Sequence, residues 1–255
     1  MAFVIAFAGK GGVGKTSLAS LTVHHLAASG KGPVLAVDAD PNACLNEALG
    51  VSVQATVGSM REASLDAVRS GAARPGGMST EELIHYQIQQ SLTEAPGFDL
   101  LVMGRPEGPG CYCAANNIIR KYTDRLADQY RYLVLDNEAG LEHLSRHTSR
   151  KVDLLIIVSD PTTKGIRTAR RVFDMIDELK IHVQRAELIM NRAGSGDEKA
   201  LSPFAETLGL HVAGSIPEDR AIAAADLQGK PVVEIAADSP ARAAFEAVLD
   251  KLAIP

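Results

Sequence analysis

Residues Gly9, Lys10, Gly11, Gly12, Val13, Gly14, Lys15 and Thr16 form an uninterrupted run of glycines, lysines and a hydroxyl. The apolar stretch Phe3-Val4-Ile5-Ala6-Phe7-Ala8 precedes it, and a helical pattern over residues 17–28 follows. A buried strand, a glycine turn and a helix start in that order make a phosphate-binding loop. The glycines let backbone N–H groups turn onto phosphate oxygens, and the helix brings the positive end of its dipole to the same anion. In such a loop Lys15 reaches the β- and γ-phosphates, and the Thr16 hydroxyl binds Mg²⁺. Lys10 is a second lysine inside the loop. By spacing alone it reads equally as a solvated side chain.

Two further groups could do chemistry. Asp136 ends the run Tyr132-Leu133-Val134-Leu135, the place of a carboxylate that holds Mg²⁺ through water, although strand-terminal aspartates also serve as solvated caps. Cys111-Tyr112-Cys113 lies in a loop rich in glycine and proline. One intervening residue lets two soft thiolates converge on a metal, and two chains related by a two-fold axis would complete a four-thiolate shell. The alternative is a pair of half-buried cysteines packing as small apolar groups. Cys44 stands in an apolar helical context and is expected to be buried. His24 and His25, adjacent in the first helix, point to different faces and read as packing or exposed residues rather than ligands. Glu138 and His143 read as hydrogen-bonded loop residues with no assigned catalytic role.

The elements that must position these groups follow from periodicity. Further strands are predicted at residues 34–38, 98–103, 132–136, 154–159, 187–191 and 212–216, and helices at 116–130, 164–179 and 202–208. Residues 58–93 read as helical throughout, interrupted by Gly71 and by Arg74-Pro75-Gly76-Gly77. Repeated βα alternation with continuously apolar strands predicts an α/β fold: a mostly parallel central sheet flanked by helices on both faces, with ligands at the C-terminal strand ends. The chain of 255 residues, 46% hydrophobic, suits a single domain over residues 1–255.

Lys+Arg 26 against Asp+Glu 31 gives a formal charge of -5, which disfavours nucleic acid as the default partner. No apolar stretch reaches the ~18 residues of a membrane span. The N-terminus opens in a strand without a charged leader, so stable membrane insertion is not expected and a cytoplasmic location is. Three cysteines suggest reduced thiols rather than a disulfide framework.

With its extra Lys10, the loop resembles the deviant Walker A of the MinD, ParA, ArsA and nitrogenase iron-protein superfamily. That resemblance implies an ATPase that dimerises on ATP, using ATP/ADP and Mg²⁺, with Lys10 crossing the interface to the partner's phosphates. It implies catalytic roles for Lys10, Lys15 and Asp40, with Asp40, ahead of Pro41, orienting the attacking water. Thr16, Asp38 and Asp136 would be associated with Mg²⁺. The nucleotide would be held by Gly9, Gly11, Gly12, Val13, Gly14, Lys15, Thr16 and Ser17, with Asn191, Arg192 and Pro217 near the adenine.

Gly108-Pro109-Gly110-Cys111-Tyr112-Cys113-Ala114-Ala115-Asn116-Asn117, the segment from Asp136 to Arg146, and Ser159-Asp160-Pro161 together resemble CooC-type ATPases. Those proteins assist nickel insertion into carbon monoxide dehydrogenase, with relatives serving acetyl-CoA synthase. The resemblance implies a homodimeric metallochaperone holding Ni²⁺ or Zn²⁺ between paired Cys111 and Cys113. Many superfamily members carry prolines where this chain has Asn137-Glu138, a departure that points to a subfamily. One rival is a MinD- or ParA-type positioning ATPase. However, the amphipathic positions Phe245, Val248, Leu249 and Leu252 sit among few basic residues, which favours packing on the core over lipid. The other rival is an iron–sulfur scaffold or reductase, although residues 136–146 carry no cysteine.

Overall fold

The computed structural model of the protein describes residues 2–40, 42, 44–60, 77–104, 124–139, 141 and 151–255. In chain order these form β1 (Phe3–Gly9), α1 (Lys15–Ala28), β2 (Val34–Asp38), α2 (Leu45–Leu49), α3 (Thr80–Gln90), β3 (Leu92–Ala95), β4 (Phe98–Val102) and β5 (Tyr132–Asp136). There follow β6 (Val152–Ser159), α4 (Thr163–Glu178), β7 (Val183–Ala193), α5 (Asp197–Thr207), β8 (Val212–Pro217), α6 (Arg220–Leu227), a 3₁₀ turn (Val232–Glu234) and α7 (Pro240–Lys251).

The strands make one eight-stranded sheet in the order β3-β4-β2-β5-β1-β6-β7-β8. Every neighbouring pair is parallel except β3 with β4. The α/β fold expected from the alternating pattern is therefore the observed one. Because side chains alternate across a strand, β1 feeds two cores: Val4, Ala6 and Ala8 pack on the face covered by Ile166, Ala169 and Val172 of α4, whereas Ile5 and Phe7 pack on the face covered by Leu18 and Leu21 of α1 and Phe245 of α7. Burial on both faces explains why β1, β2 and β5 read as unbroken apolar runs. The parallel register also gathers the C-terminal ends of these strands on one edge.

The structure corrects three expectations. Residues 92 and 93, expected as the end of a helix, open the strand Leu92–Ala95: Pro96-Gly97 makes a two-residue turn, with Gly97 at φ +84°, and folds β3 back antiparallel on the edge of β4. Pro at the first and Gly at the second turn position is the signature of a type II turn. The helix expected to run to Tyr130 stops by 127 in a turn at 128–129. Cys44 is exposed rather than buried, because it precedes α2 as its N-cap while the next residue, Leu45, takes the buried position. The parts of the predicted helical regions at 61–76 and 116–123 lie outside the described residues.

The C-terminal helix packs as its pattern suggests. Phe245, Val248, Leu249 and Leu252 are all buried against the sheet, and Lys251 Nζ donates to the Ala213 carbonyl of β8 at 3.0 Å. Among the described residues no helix is long and apolar enough to cross a membrane. Phe245→Ala is expected to lower unfolding free energy by about 3–5 kcal/mol through the cavity it leaves, measured as a shift in the urea midpoint at unchanged slope.

Candidate functional site

The site is built from strand ends. Gly9 closes β1, Asp38 closes β2 and Asp136 closes β5, and the parallel register places Asp38 directly beside Asp136. The turn from Gly9 to Gly14 then enters α1. Gly14 is the N-cap at φ +94°, a left-handed conformation that suits glycine. A Cβ there would also stand 2.3 Å from Asn191 Nδ2, so any other residue would have to displace that amide as well as adopt the strained φ. The first N–H groups of any helix lack intrahelical acceptors. At α1 no side chain caps them and no acidic residue occupies the first turn, whereas Ser79, Thr162, Asp219 and Ser239 each cap their own helix and the likewise uncapped α2 and α5 carry acidic residues in their first turns. The start of α1 is left open for an external anion.

Three loop carbonyls accept side-chain donors. Lys15 Nζ donates to the Lys10 carbonyl at 3.2 Å, Arg192 Nη1 to that of Gly12 at 3.0 Å, and Asn191 Nδ2 to that of Val13 at 2.7 Å. Lys15 is buried, and burial lowers its pKa against the opposing pull of Asp136, Asp40 and Glu138. Lys10 is exposed, Thr16 and Ser17 are half-buried at the start of α1, and Pro217 ends β8 opposite Ala193 of β7.

The carboxylates differ in their support. Asp38 is fully buried, yet its oxygens accept the backbone N–H groups of Asp40 at 3.0 Å and Leu45 at 2.9 Å. Burial pushes its pKa up to about 6, with Asp40 adding like-charge repulsion and the backbone donors opposing. Asp40, half-buried, accepts from the Asn42 backbone at 2.8 Å and side-chain amide at 3.1 Å.

Asp136 is 1% exposed and neither of its oxygens has a hydrogen-bond partner. Burial pushes the Asp136 pKa up to about 7; the nearby Thr16 hydroxyl and Lys15 pull it down, while Asp38 and Asp40 raise it. Orphaned buried oxygens call for a partner. A cation fits, since Thr16, Asp38 and Asp136 offer a hydroxyl and carboxylates. Mg²⁺ takes one or two protein carboxylates and completes its shell from water and phosphate. Among the described residues no group of three or more His, Cys, Asp and Glu could hold a metal ion.

A family model described as the CobQ/CobB/MinD/ParA nucleotide binding domain matches residues 4–232. The chain belongs to this nucleotide-binding family. It is 38% identical to an uncharacterized ATP-binding protein of Methanocaldococcus jannaschii, over 98% of each chain. It is 31% identical to the carbon monoxide dehydrogenase accessory protein CooC of Rhodospirillum rubrum, over 97% of each. A ParA family ATPase from Chlorobium tepidum shares the fold with a TM-score of 0.72 at 22% identity, over the whole of both chains.

The structure thus brings the loop residues, Asp38, Asp40, Asp136, Asn191 and Arg192 to one edge of the sheet. Cys111, Cys113 and His143 lie outside the described residues. One residue of the site was missed in the sequence: Asn137, 1% exposed, whose Nδ2 donates to the Phe7 carbonyl at 3.0 Å and ties the end of β5 to β1. Its only signal was its departure from the superfamily's usual proline.

The raised pKa of Asp136 has a definite sign for stability. Between the unfolded value of 3.8 and the folded value of about 7, the native state binds the extra proton, so this residue's contribution falls as pH rises through that window. Without Mg²⁺ and nucleotide, Asp136→Asn is expected to melt close to wild type at about pH 4 and clearly above it at about pH 8.5. Thermal melts in a chelator check this, and an equal offset at both pH values would contradict the assignment.

Proposed function

We propose that the protein is a Mg²⁺-dependent ATPase that works as a homodimeric nickel metallochaperone in the cytoplasm, with residues 1–255 acting as one ATPase domain. The observation that carries the ATPase half is the uncapped, glycine-built start of α1 facing the partnerless Asp136 carboxylate. The maturation role is supported by 31% identity to CooC along nearly the whole of both chains.

In this reading the backbone of residues 9–14, with Thr16 and Ser17, cradles the triphosphate, and Lys15 leaves the Lys10 carbonyl for the β- and γ-phosphates. Bound Mg²⁺ would supply charge neutralisation of the phosphates; Thr16 and Asp136 would hold it, with Asp38 close by. Asp40 orients a water for attack on the γ-phosphorus. The β–γ bridging P–O bond breaks, ADP leaves with the bridging oxygen, and inorganic phosphate carries the water oxygen. Asn191, Arg192 and Pro217 line the adenine side. Lys10, exposed on the loop, reaches the partner subunit's phosphates and makes hydrolysis dependent on the dimer.

Cys111 and Cys113 of both subunits hold Ni²⁺ as cargo, or Zn²⁺ in its place, for delivery to carbon monoxide dehydrogenase or acetyl-CoA synthase. A positioning role at a membrane is disfavoured because the apolar side of α7 is consumed by the core.

Lys15→Ala is expected to abolish ATP hydrolysis, whereas Lys10→Ala should retain nucleotide binding but lose ATP-promoted dimerisation. Phosphate release and sedimentation velocity read these outcomes, and wild-type turnover by the Lys15 variant would overturn the ATPase assignment. For the cargo site, wild type should bind one nickel ion per dimer and dimerise on nickel without ATP. Replacement of both Cys111 and Cys113 by Ser should remove that dimer and leave nucleotide binding intact. A double variant that binds nickel as tightly as wild type refutes the shared site.

A further inference from the structure

Asn191 and Arg192 are consecutive residues, yet both side chains reach the same loop: Asn191 Nδ2 donates to the Val13 carbonyl at 2.7 Å and Arg192 Nη1 to the Gly12 carbonyl at 3.0 Å. In a regular strand neighbouring side chains point to opposite faces. Here β7 carries an irregularity against β8: Asn191 pairs with Ile216 and Ala193 with Pro217, so three residues of one strand oppose two of the other. Arg192 is the extra residue and adopts φ +59°, a left-handed conformation disfavoured for a residue with a side chain. Bulges re-aim side chains, and strained backbone of this kind persists where the surroundings enforce it. This bulge turns an exposed arginine onto the crest of the phosphate loop.

The peptide group is planar and trans, so the C=O of one residue and the N–H of the next point in opposite directions. Holding the Gly12 carbonyl outward turns the Val13 N–H inward; holding the Val13 carbonyl does the same for Gly14. The loop has little else at this point to fix it. Gly12 is exposed at φ +78°, and a Cβ built on Gly11 or Gly12 would meet nothing within 4 Å.

We infer that Arg192 is a positioning residue that acts on bound phosphate through the Gly12 peptide, and that the β7 bulge exists to deliver it there. This rests on reading the loop as a triphosphate site, but changes what Arg192 does: its energetic effect falls on the phosphates rather than on the base. Asn191 shares the bracing of the loop, and its amide nitrogen packs where any side chain at residue 14 would be.

Titration calorimetry with ATP and with inorganic tripolyphosphate, which has no base, separates the two roles. Arg192→Ala should weaken both ligands by a similar factor, roughly tenfold for a lost hydrogen bond from a charged donor. Arg192→Lys, whose ammonium can still donate to a carbonyl, should recover most of the loss for both, and neither variant should melt far from wild type. Loss of affinity for ATP alone would make Arg192 a base contact and overturn the inference. So would unchanged binding of both ligands, or an equal loss that Lys fails to restore together with a collapsed melting temperature. If wild type binds neither ATP nor tripolyphosphate, it is the triphosphate reading of the loop that fails.

Discussion

Burying Asp136 between apolar strands removes a carboxylate from water without giving it a hydrogen bond in return, and the rest of the site is arranged around that deficit. Solvation loss of this kind is large for a charged group and is relieved only by a proton or a cation. Lys15 and the Thr16 hydroxyl stand near enough to offset part of it, while Asp38 and Asp40 make it worse. The balance leaves a carboxyl whose proton affinity is raised to about 7, ready to exchange a proton for a metal. Asp38, its register partner, is as deeply buried but accepts backbone N–H groups at both oxygens. One carboxylate is therefore structural support for the turn after β2, and its neighbour is available.

The phosphate loop is the complementary half, a collection of donors instead of acceptors. The start of α1 is uncapped by side chains, the Gly12 and Val13 carbonyls accept from Arg192 and Asn191 at the end of β7, and the Lys10 carbonyl accepts from Lys15. These donors come from distant parts of the chain, and the sheet brings them together because β7 ends on the same edge as β1. Asn137 adds a tie between β5 and β1 through the Phe7 carbonyl.

The sheet and the loop were legible for a simple reason. Doubly buried parallel strands must be apolar at every position, so β1, β2 and β5 stand out without alternation. Glycines at fixed spacing before Lys15 and Thr16 have few other uses. The edge strand β3 was not legible by the same rule. Its residues Leu-Thr-Glu-Ala are only half-buried or exposed, too short and too polar to reveal a period, and only Pro96-Gly97 marked the reversal. Cys44 misled because helical context says which residues can be buried, not which side of a short helix meets the core.

The sequence by itself determined the α/β architecture, the phosphate loop and the set of carboxylates at strand ends, because each depends on local pattern and on the chemistry of the residue type. It did not determine which of Asp38 and Asp136 lacks a partner, since both end apolar strands and differ only in the backbone N–H groups that the following turn supplies. Nor did it determine that Asn191 and Arg192 brace the loop. That depends on a one-residue bulge in β7 and on packing across some 180 residues of chain, and a contact of that range is decided by the closure of the sheet.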